Sequence, residues 1–148
     1  MRKVHTVQSL AQTEALAASL AKAAKPGDVY ALIGGLGAGK TAFAKAFASG
    51  LSVKEIVNSP TFTILQEYDS GRLPLYHFDM YRIGAPEETE EIGFDDYLYG
   101  DGVCLIEWAD RVEELLPERW KKITIDREEG SADVGSECRR IIIEEIGV

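Results

Sequence analysis

The residues with the clearest capacity for chemistry form one glycine-rich segment, GGLGAGKT at residues 34–41. The segment matches the pattern G-x-x-x-x-G-K-[ST] at every fixed position. Glycines suit such a loop because its backbone N–H groups must turn inward and approach phosphate oxygens closely, where a Cβ would obstruct them. In this pattern Lys40 would reach the β- and γ-phosphates of a nucleotide, and the Thr41 hydroxyl would be a ligand of Mg²⁺. The segment therefore predicts a site for nucleotide phosphates.

The sequence on either side of this segment is also what a phosphate-binding loop requires. The preceding residues 29–33, VYALI, are apolar at every position, as in a strand that is buried on both faces. The following residues, TAFAKAFASGL, predict a helix up to Gly50, and the amino end of a helix places a partial positive charge beneath bound phosphates. A flexible loop that matches the pattern by chance is the weaker alternative.

Two carboxylates at the ends of predicted strands could hold the magnesium that such a site needs. Glu107 ends the apolar run VCLIE, which fits a central strand beside the loop strand. Asp79 ends LYHFD, where the polar His77 suggests a less buried hairpin strand. Because a buried position favours a functional carboxylate over a solvated strand end, Glu107 is predicted to act on the magnesium side, directly or through water. Asp79 is predicted to help by positioning water or the outer shell of the metal.

Thr61 is a further candidate for the catalytic machinery. It lies in the loop sequence SPTF, 20 residues beyond Thr41, and Pro60 would stiffen that loop. In P-loop switch proteins, a loop after the first helix carries a hydroxyl that senses the γ-phosphate through magnesium. An ordinary turn hydroxyl is an equally weighted alternative.

Two other residues near the carboxylates have open roles. Arg82 could place its guanidinium near phosphate or pair with the acidic segment that follows it. Trp108, directly after Glu107, could be simple core or a contact surface beside the nucleotide. The remaining polar or reactive side chains are interpreted as structural: His5, His77, Cys104 and Cys138.

The elements that position these residues can be outlined from the pattern. Ser9 and Gln12 form a capping box that opens an Ala-rich helix, and Pro26-Gly27 stops it. Residues 62–68 and 73–81 flank turn chemistry at 69–71 and predict an antiparallel hairpin. The remaining predicted elements are strands at 5–8, 103–108, 122–126 and 139–145, and helical segments at 86–91, 94–98 and 110–116. The fold class predicted is α/β, a P-loop NTPase-like mixed sheet with antiparallel additions, covered by helices.

Length and cysteine usage limit the class of protein. A chain of 148 residues fits one domain, predicted to span 1–148, that needs no disulfide or structural metal to fold. Two cysteines 34 residues apart give neither a zinc module nor a disulfide framework. The sequence has no signal-peptide pattern and no apolar run of the ~18 residues that a membrane helix requires. We therefore expect a soluble, cytoplasmic protein without a membrane partner.

The charge is unevenly distributed along the chain. The net charge is −9, with +4 in residues 1–60 and −13 in residues 61–148. An acidic balance argues against a protein that grips nucleic acid unaided, because phosphate binding needs a basic surface. The acidic run Glu87, Glu88, Glu90 and Glu91 is interpreted as a solvated helix face. An acidic docking surface for a basic partner is the alternative.

Five motifs together resemble a known family. In chain order they are GGLGAGKT, SPTFTILQEY, YHFDMYRI, EEIGFDDYL and CLIEW. Their order and spacing, from about residue 9 to residue 117, closely resemble the TsaE (YjeE) family of small P-loop ATPases. The resemblance implies ATP and Mg²⁺ as cofactors, with TsaD and TsaB as protein partners. It also implies a role in making N6-threonylcarbamoyladenosine at position 37 of tRNAs, with tRNA contacted only through the complex.

The resemblance carries site residues onto this chain. It maps the magnesium ligands onto Thr41 and Glu107 and places a nucleotide contact near Ser9. Relatives often have Gly-Arg near the nucleotide in the C-terminal strand region, where this chain reads Gly135-Ser136 with Arg139 nearest. It also places the phosphates on Gly37, Ala38, Gly39, Lys40, Thr41 and Ala42. The loop motif adds Gly34 and Gly35 to the predicted nucleotide-binding residues.

The leading hypothesis is an ATPase that is slow alone and drives or resets a tRNA-modifying complex. A small-molecule or nucleoside kinase is an alternative, although residues 83–110 contain no Lys or Arg to form a lid. A GTP-driven switch is disfavoured because the N-K-x-D guanine signature is absent. A nucleotide-dependent binding module with negligible turnover remains open.

Overall fold

The computed structural model describes residues 2–35, 38–58, 64–127 and 137–147. Its strands are β1 Arg2–Val7, β2 Val29–Ile33, β3 Leu65–Tyr68, β4 Leu75–Asp79, β5 Val103–Glu107, β6 Trp120–Arg127 and β7 Arg139–Ile146. Its α-helices are α1 Leu10–Ala23, α2 Lys40–Gly50 and α3 Phe94–Leu98. Three 3₁₀ segments cover Pro86–Ile92, Ala109–Arg111 and Glu113–Leu115. None of these helices is both long enough and apolar enough to cross a membrane.

The seven described strands form one mixed sheet in the order β1-β7-β6-β2-β5-β4-β3. Its centre is parallel, because β2 pairs in parallel with both β5 and β6, and β4 pairs in parallel with β5. The flanks are antiparallel, with β3 against β4 on one side and β7 and β1 beyond β6 on the other. The predicted mixed sheet with antiparallel additions is confirmed.

Helices cover both faces of the sheet and bury two apolar clusters. On one face, Tyr30 and Leu105 pack with Phe43 and Phe47 of α2, and the rings of Tyr30 and Phe47 lie 4.9 Å apart. On the other face, β4 and β5 contribute side chains that pack against α3 and the turns after β5. The apolar runs of β2 and β5 therefore reflect burial on both faces, as predicted.

The start of α1 follows the predicted capping pattern with one difference. Ser9 Oγ accepts a hydrogen bond from Gln12 N at 3.2 Å, as an N-cap should. The Gln12 side chain reaches back one residue further than expected and accepts from Gln8 N at 2.7 Å. The backbone N–H groups of Gln8 and Gln12, which lie before and within the first turn of α1, are thus satisfied by side chains.

Some predicted boundaries are wrong. The first strand begins at Arg2 rather than at residue 5, because β1 pairs along its whole length with β7. Residues 110–116 do not form one helix. They fold as two short 3₁₀ turns on either side of Val112, whose φ of −132° interrupts the helical path. The fully buried Val112 side chain belongs to the apolar cluster under this segment, so tertiary packing overrides the local helical pattern.

Candidate functional site

The loop between β2 and α2 needs glycine at two positions for different reasons. A Cβ on Gly34 would lie 2.5 Å from the Ile125 carbonyl oxygen, so the backbone of β6 approaches too closely for any side chain. Gly39 has a φ of +107°, in the left-handed region that L side chains rarely adopt. Gly35 has open space around the position of a Cβ, and Gly37 lies outside the described residues.

Lys40 begins α2 and its side chain folds back across the loop. Its ammonium donates a hydrogen bond to the Gly34 carbonyl oxygen at 2.8 Å and lies 3.5 Å from the centroid of the Trp108 ring. Burial lowers the pKa of Lys40 from its ordinary value, while the carboxylates of Glu107, Asp79 and Asp110 act in the opposite direction. The cation is therefore held between the loop and the acidic end of the parallel strands.

Glu107 and Asp79 end neighbouring strands at the same level of the sheet. Glu107 is register partner both of Leu32, near the end of β2, and of Asp79, the last residue of β4. Both carboxylates are buried. Since β5 lies directly beside β2, Glu107 occupies the strand end next to the loop, as predicted, and Asp79 lies one strand further away.

His77 is buried and contacts one of the predicted site carboxylates. The sequence predicts that His77 is structural and lies on a strand less buried than VCLIE. The His77 side chain is 1% exposed, and its Nε2 lies 2.6 Å from Oε2 of Glu107. β4 is slightly less buried than β5, at Tyr76, but it is an internal strand flanked by β5 and β3, so the polar His77 is not exposed. Alternation along YHFD could have revealed the contact, since His77 and Asp79 must face the same side of the sheet.

Asp79 has a defined local task. Its Oδ1 accepts a hydrogen bond from the backbone N–H of Tyr81 at 2.9 Å, which fixes the turn directly after β4. The carboxylate is thereby oriented at the strand end, beside the level of Glu107. This geometry is compatible with the supporting role predicted for Asp79.

Trp108 follows Glu107 in a left-handed conformation, with φ 57° and ψ 38°. In this conformation the half-buried indole ring contacts the Lys40 ammonium. It also contacts Tyr81, whose ring centroid lies 4.9 Å from that of Trp108. Arg111 lies next along this stack, 5.5 Å from the Tyr81 ring. Trp108 packs against the second apolar cluster and also contacts the loop lysine, so its predicted role beside the nucleotide stays a prediction.

The C-terminal strand, β7, also contacts the loop between β2 and α2. Arg139, at the start of β7, donates from Nε to the Ala38 carbonyl oxygen at 2.8 Å. Glu137 accepts a hydrogen bond from Leu10 N at 2.9 Å, so the beginning of α1, with Ser9 as its cap, also lies near this chain segment. The residues Gly135 and Ser136 lie outside the described part of the chain.

The remaining predicted site residues are placed as follows. Thr41 is exposed and Ala42 half-buried in the first turn of α2, and Arg82 is exposed in the turn after β4. Thr61 lies outside the described residues, so its predicted role stays a prediction. Lys40, Asp79 and Glu107 thus remain the predicted residues that the structure brings together, at the carboxyl end of the parallel strands.

The donor set is compatible with magnesium. Across the described residues, His, Cys, Asp and Glu side chains form no group of three or more that could hold a metal ion alone. Magnesium usually keeps several waters and takes one or two protein oxygens plus phosphate oxygens from its substrate. The Thr41 hydroxyl and the Glu107 carboxylate are oxygen donors of that kind.

Comparison with known proteins gives the family of this chain. The family model described as "Threonylcarbamoyl adenosine biosynthesis protein TsaE" matches residues 7–138. The TsaE protein of Bacillus subtilis is 55% identical over 116 residues, which cover 78% of this chain and 72% of that protein. The TsaE protein of Treponema pallidum is 51% identical over 92 residues, which cover 62% of this chain and 67% of that protein.

A solved structure gives the same answer at the level of the fold. The crystal structure of Bacillus subtilis YdiB superposes with a TM-score of 0.82 at 41% sequence identity, and the match covers 100% of this chain and 87% of that one. The family model, the relatives and the shared fold together identify this chain as a member of the TsaE family.

Proposed function

We propose that this chain is the ATP-hydrolysing component of the machinery that makes N6-threonylcarbamoyladenosine in tRNA. Membership of the TsaE family supports a role in this biosynthesis. The observation that carries the proposed activity is the position of the Lys40 ammonium, on the loop carbonyl of Gly34 and within the electrostatic reach of Glu107 and Asp79. A loop lysine beside strand-end carboxylates is the arrangement that phosphoanhydride hydrolysis needs.

Each residue has a distinct task in this proposal. The backbone N–H groups at the start of α2 and the Lys40 ammonium would bind the phosphates and stabilise the charge that develops on them. Thr41 and Glu107 would hold Mg²⁺, which when bound neutralises phosphate charge and orients the phosphates. Asp79, fixed by the Tyr81 N–H, would position water near the metal. The predicted γ-phosphate sensor, Thr61, would complete the site.

The partners in this proposal are TsaD and TsaB, with tRNA reached only through them. The acidic character of residues 61–148 supports docking on proteins better than direct tRNA binding. The four glutamates of the Pro86–Ile92 segment are exposed, so they are available to a basic protein surface. The chain would work in the cytoplasm, where the modifying complex and its tRNA substrates meet.

The experiment that tests the proposal is phosphate release from ATP and Mg²⁺, with and without purified TsaD and TsaB. We expect slow release by the chain alone and clear stimulation by the pair. In parallel, tRNA modification by the pair should continue over repeated cycles only when this chain and ATP are present. Absence of phosphate release under all conditions, with nucleotide binding retained, would instead identify a nucleotide-dependent binding module.

A further inference from the structure

The contact between His77 and Glu107 joins two neighbouring internal strands at the candidate site. The Nε2–Oε2 distance of 2.6 Å crosses from β4 to β5, and the two side chains are 1% and 4% exposed. The Glu107 carboxylate that would hold Mg²⁺ can only accept hydrogen bonds, so in that role its partner Nε2 would be the donor. A bond of this kind is short and stronger than one between neutral groups.

Packing alone does not account for a histidine at this position. His77 shares its sheet face with Leu75, two residues before it, and with its register partner Leu105. Both are fully buried members of the apolar cluster on that face. Among the described residues, Nδ1 of His77 has no hydrogen-bond partner, so the ring carries an unsatisfied buried nitrogen. An apolar side chain would avoid that cost, which leaves the bond to Glu107 as the reason for the imidazole.

We propose that His77 is a positioning residue that holds the Glu107 carboxylate in the orientation in which it receives Mg²⁺. The inference rests on the proposed function, since it deepens the role given there to Glu107. Carboxylates that bind metals are themselves held by hydrogen bonds, and losing such a partner typically costs about 10- to 100-fold in metal affinity or activity. His77 itself touches neither phosphate nor metal in this proposal.

The test compares two substitutions at this position with a matched control. His77→Leu removes the donor and keeps an apolar side chain of moderate size, whereas His77→Gln keeps an N–H donor near the place of Nε2. The control is Cys104→Ala, a buried change on β5 whose Sγ contacts the Tyr97 carbonyl oxygen on the other side of the sheet. Each variant is measured for thermal stability, for ADP affinity by calorimetry with Mg²⁺ and with chelator, and for the Mg²⁺ dependence of stimulated phosphate release.

We expect His77→Leu to need about 10- to 100-fold more Mg²⁺ for half-maximal phosphate release and to lose most of the Mg²⁺-dependent gain in ADP affinity. ADP affinity in chelator should equal that of wild type, and His77→Gln should recover most of the Mg²⁺ response. Should His77→Leu not fold, His77→Asn replaces it, because its shorter amide cannot reach Oε2.

The inference is overturned if the donor-free variant keeps a wild-type Mg²⁺ response, or if Cys104→Ala and both His77 variants lose it equally. A wild-type chain without Mg²⁺-dependent phosphate release overturns the proposed hydrolysis instead. In that case the calorimetric comparison still decides the role of His77, because it measures Mg²⁺ binding with nucleotide and needs no turnover.

Discussion

The Lys40 ammonium lies against the face of Trp108, 3.5 Å from the ring centroid, while it donates to the Gly34 carbonyl at 2.8 Å. A cation over an indole ring gains about 0.5–2 kcal/mol, depending on how far it is desolvated. Because an ammonium carries three N–H donors, Lys40 can keep the Gly34 carbonyl when it binds phosphate, but the arrival of phosphate oxygens should change its contact with the Trp108 ring. The Lys40–Trp108 contact is therefore a feature of the nucleotide-free loop that binding should change.

Trp108 fluorescence should report nucleotide binding. The chain has two tryptophans, and Trp120 lies at the start of β6. β6 runs parallel to β2, so Trp120 is at the opposite end of the sheet from the loop. We expect Trp120→Phe to keep the emission change that ATP and Mg²⁺ produce, and Trp108→Phe to lose it. An ATP-induced change that survives in Trp108→Phe and disappears in Trp120→Phe would contradict this assignment.

Lys40→Ala should abolish nucleotide binding or turnover. The substitution removes the positive charge that the loop places for the β- and γ-phosphates, and loss of one such electrostatic contact typically costs ~10²–10³ in rate. Lys45→Ala is the matched control, since it removes the same charge from an exposed position on the same helix. Calorimetry and phosphate release should separate the two variants. Equal behaviour of the two, with affinity and turnover unchanged, would refute the phosphate-site assignment.

Gly34→Ala should destabilise the fold, whereas Gly35→Ala should leave its stability nearly unchanged. The added Cβ at Gly34 meets the Ile125 carbonyl oxygen at 2.5 Å, and that oxygen belongs to the backbone of β6, which cannot give way cheaply. Overpacking of this kind costs about 1–3 kcal/mol. A Cβ at Gly35 meets nothing within 4 Å. Thermal or denaturant unfolding of the two variants gives the comparison, and equal midpoints would argue against the close approach of β6.

The sequence predicts the centre of the fold better than its flanks. Strands β2 and β5 are recognisable because burial on both faces demands an unbroken apolar run, and the loop between β2 and α2 has a fixed glycine pattern. The 3₁₀ turns around Val112 cannot be predicted from such patterns. There, a single buried side chain, rather than local periodicity, decides the backbone path.

Some features of the candidate site can likewise be predicted from the sequence, and others cannot. The positions of Lys40 and Glu107 can be predicted from local sequence, because a motif identifies Lys40 and an unbroken apolar run places Glu107 at the end of a central strand. The Lys40–Trp108 contact depends on the left-handed conformation of Trp108, which has no signature in residue type or spacing. The placement of His77 is partly predictable. The alternation in YHFD puts His77 on the same sheet face as Asp79, but the polarity of a strand residue does not show whether it is buried.

The last prediction separates nucleotide binding from turnover through the two carboxylates. Glu107→Gln keeps the volume and one acceptor oxygen but removes the charge that Mg²⁺ needs, while Lys40 and the loop backbone remain. ATP should still bind, more weakly in Mg²⁺ than to wild type, and stimulated hydrolysis should fall by ~10²–10³. Asp79→Asn should retain more activity, with a loss of about 10- to 100-fold, because an amide oxygen can still accept from the Tyr81 N–H.

The measurements for this pair are stimulated phosphate release and Mg²⁺-dependent nucleotide affinity, with Asp110→Asn as the control. Asp110 also acts on the charge of Lys40, yet it is exposed and lies beyond the end of β5. Its substitution therefore tests whether general loss of negative charge near Lys40 is enough to impair the site. A dead Asp79→Asn beside a fully active Glu107→Gln would reverse the two assignments. In that case the metal would have to be held at the end of β4, one strand further from the loop.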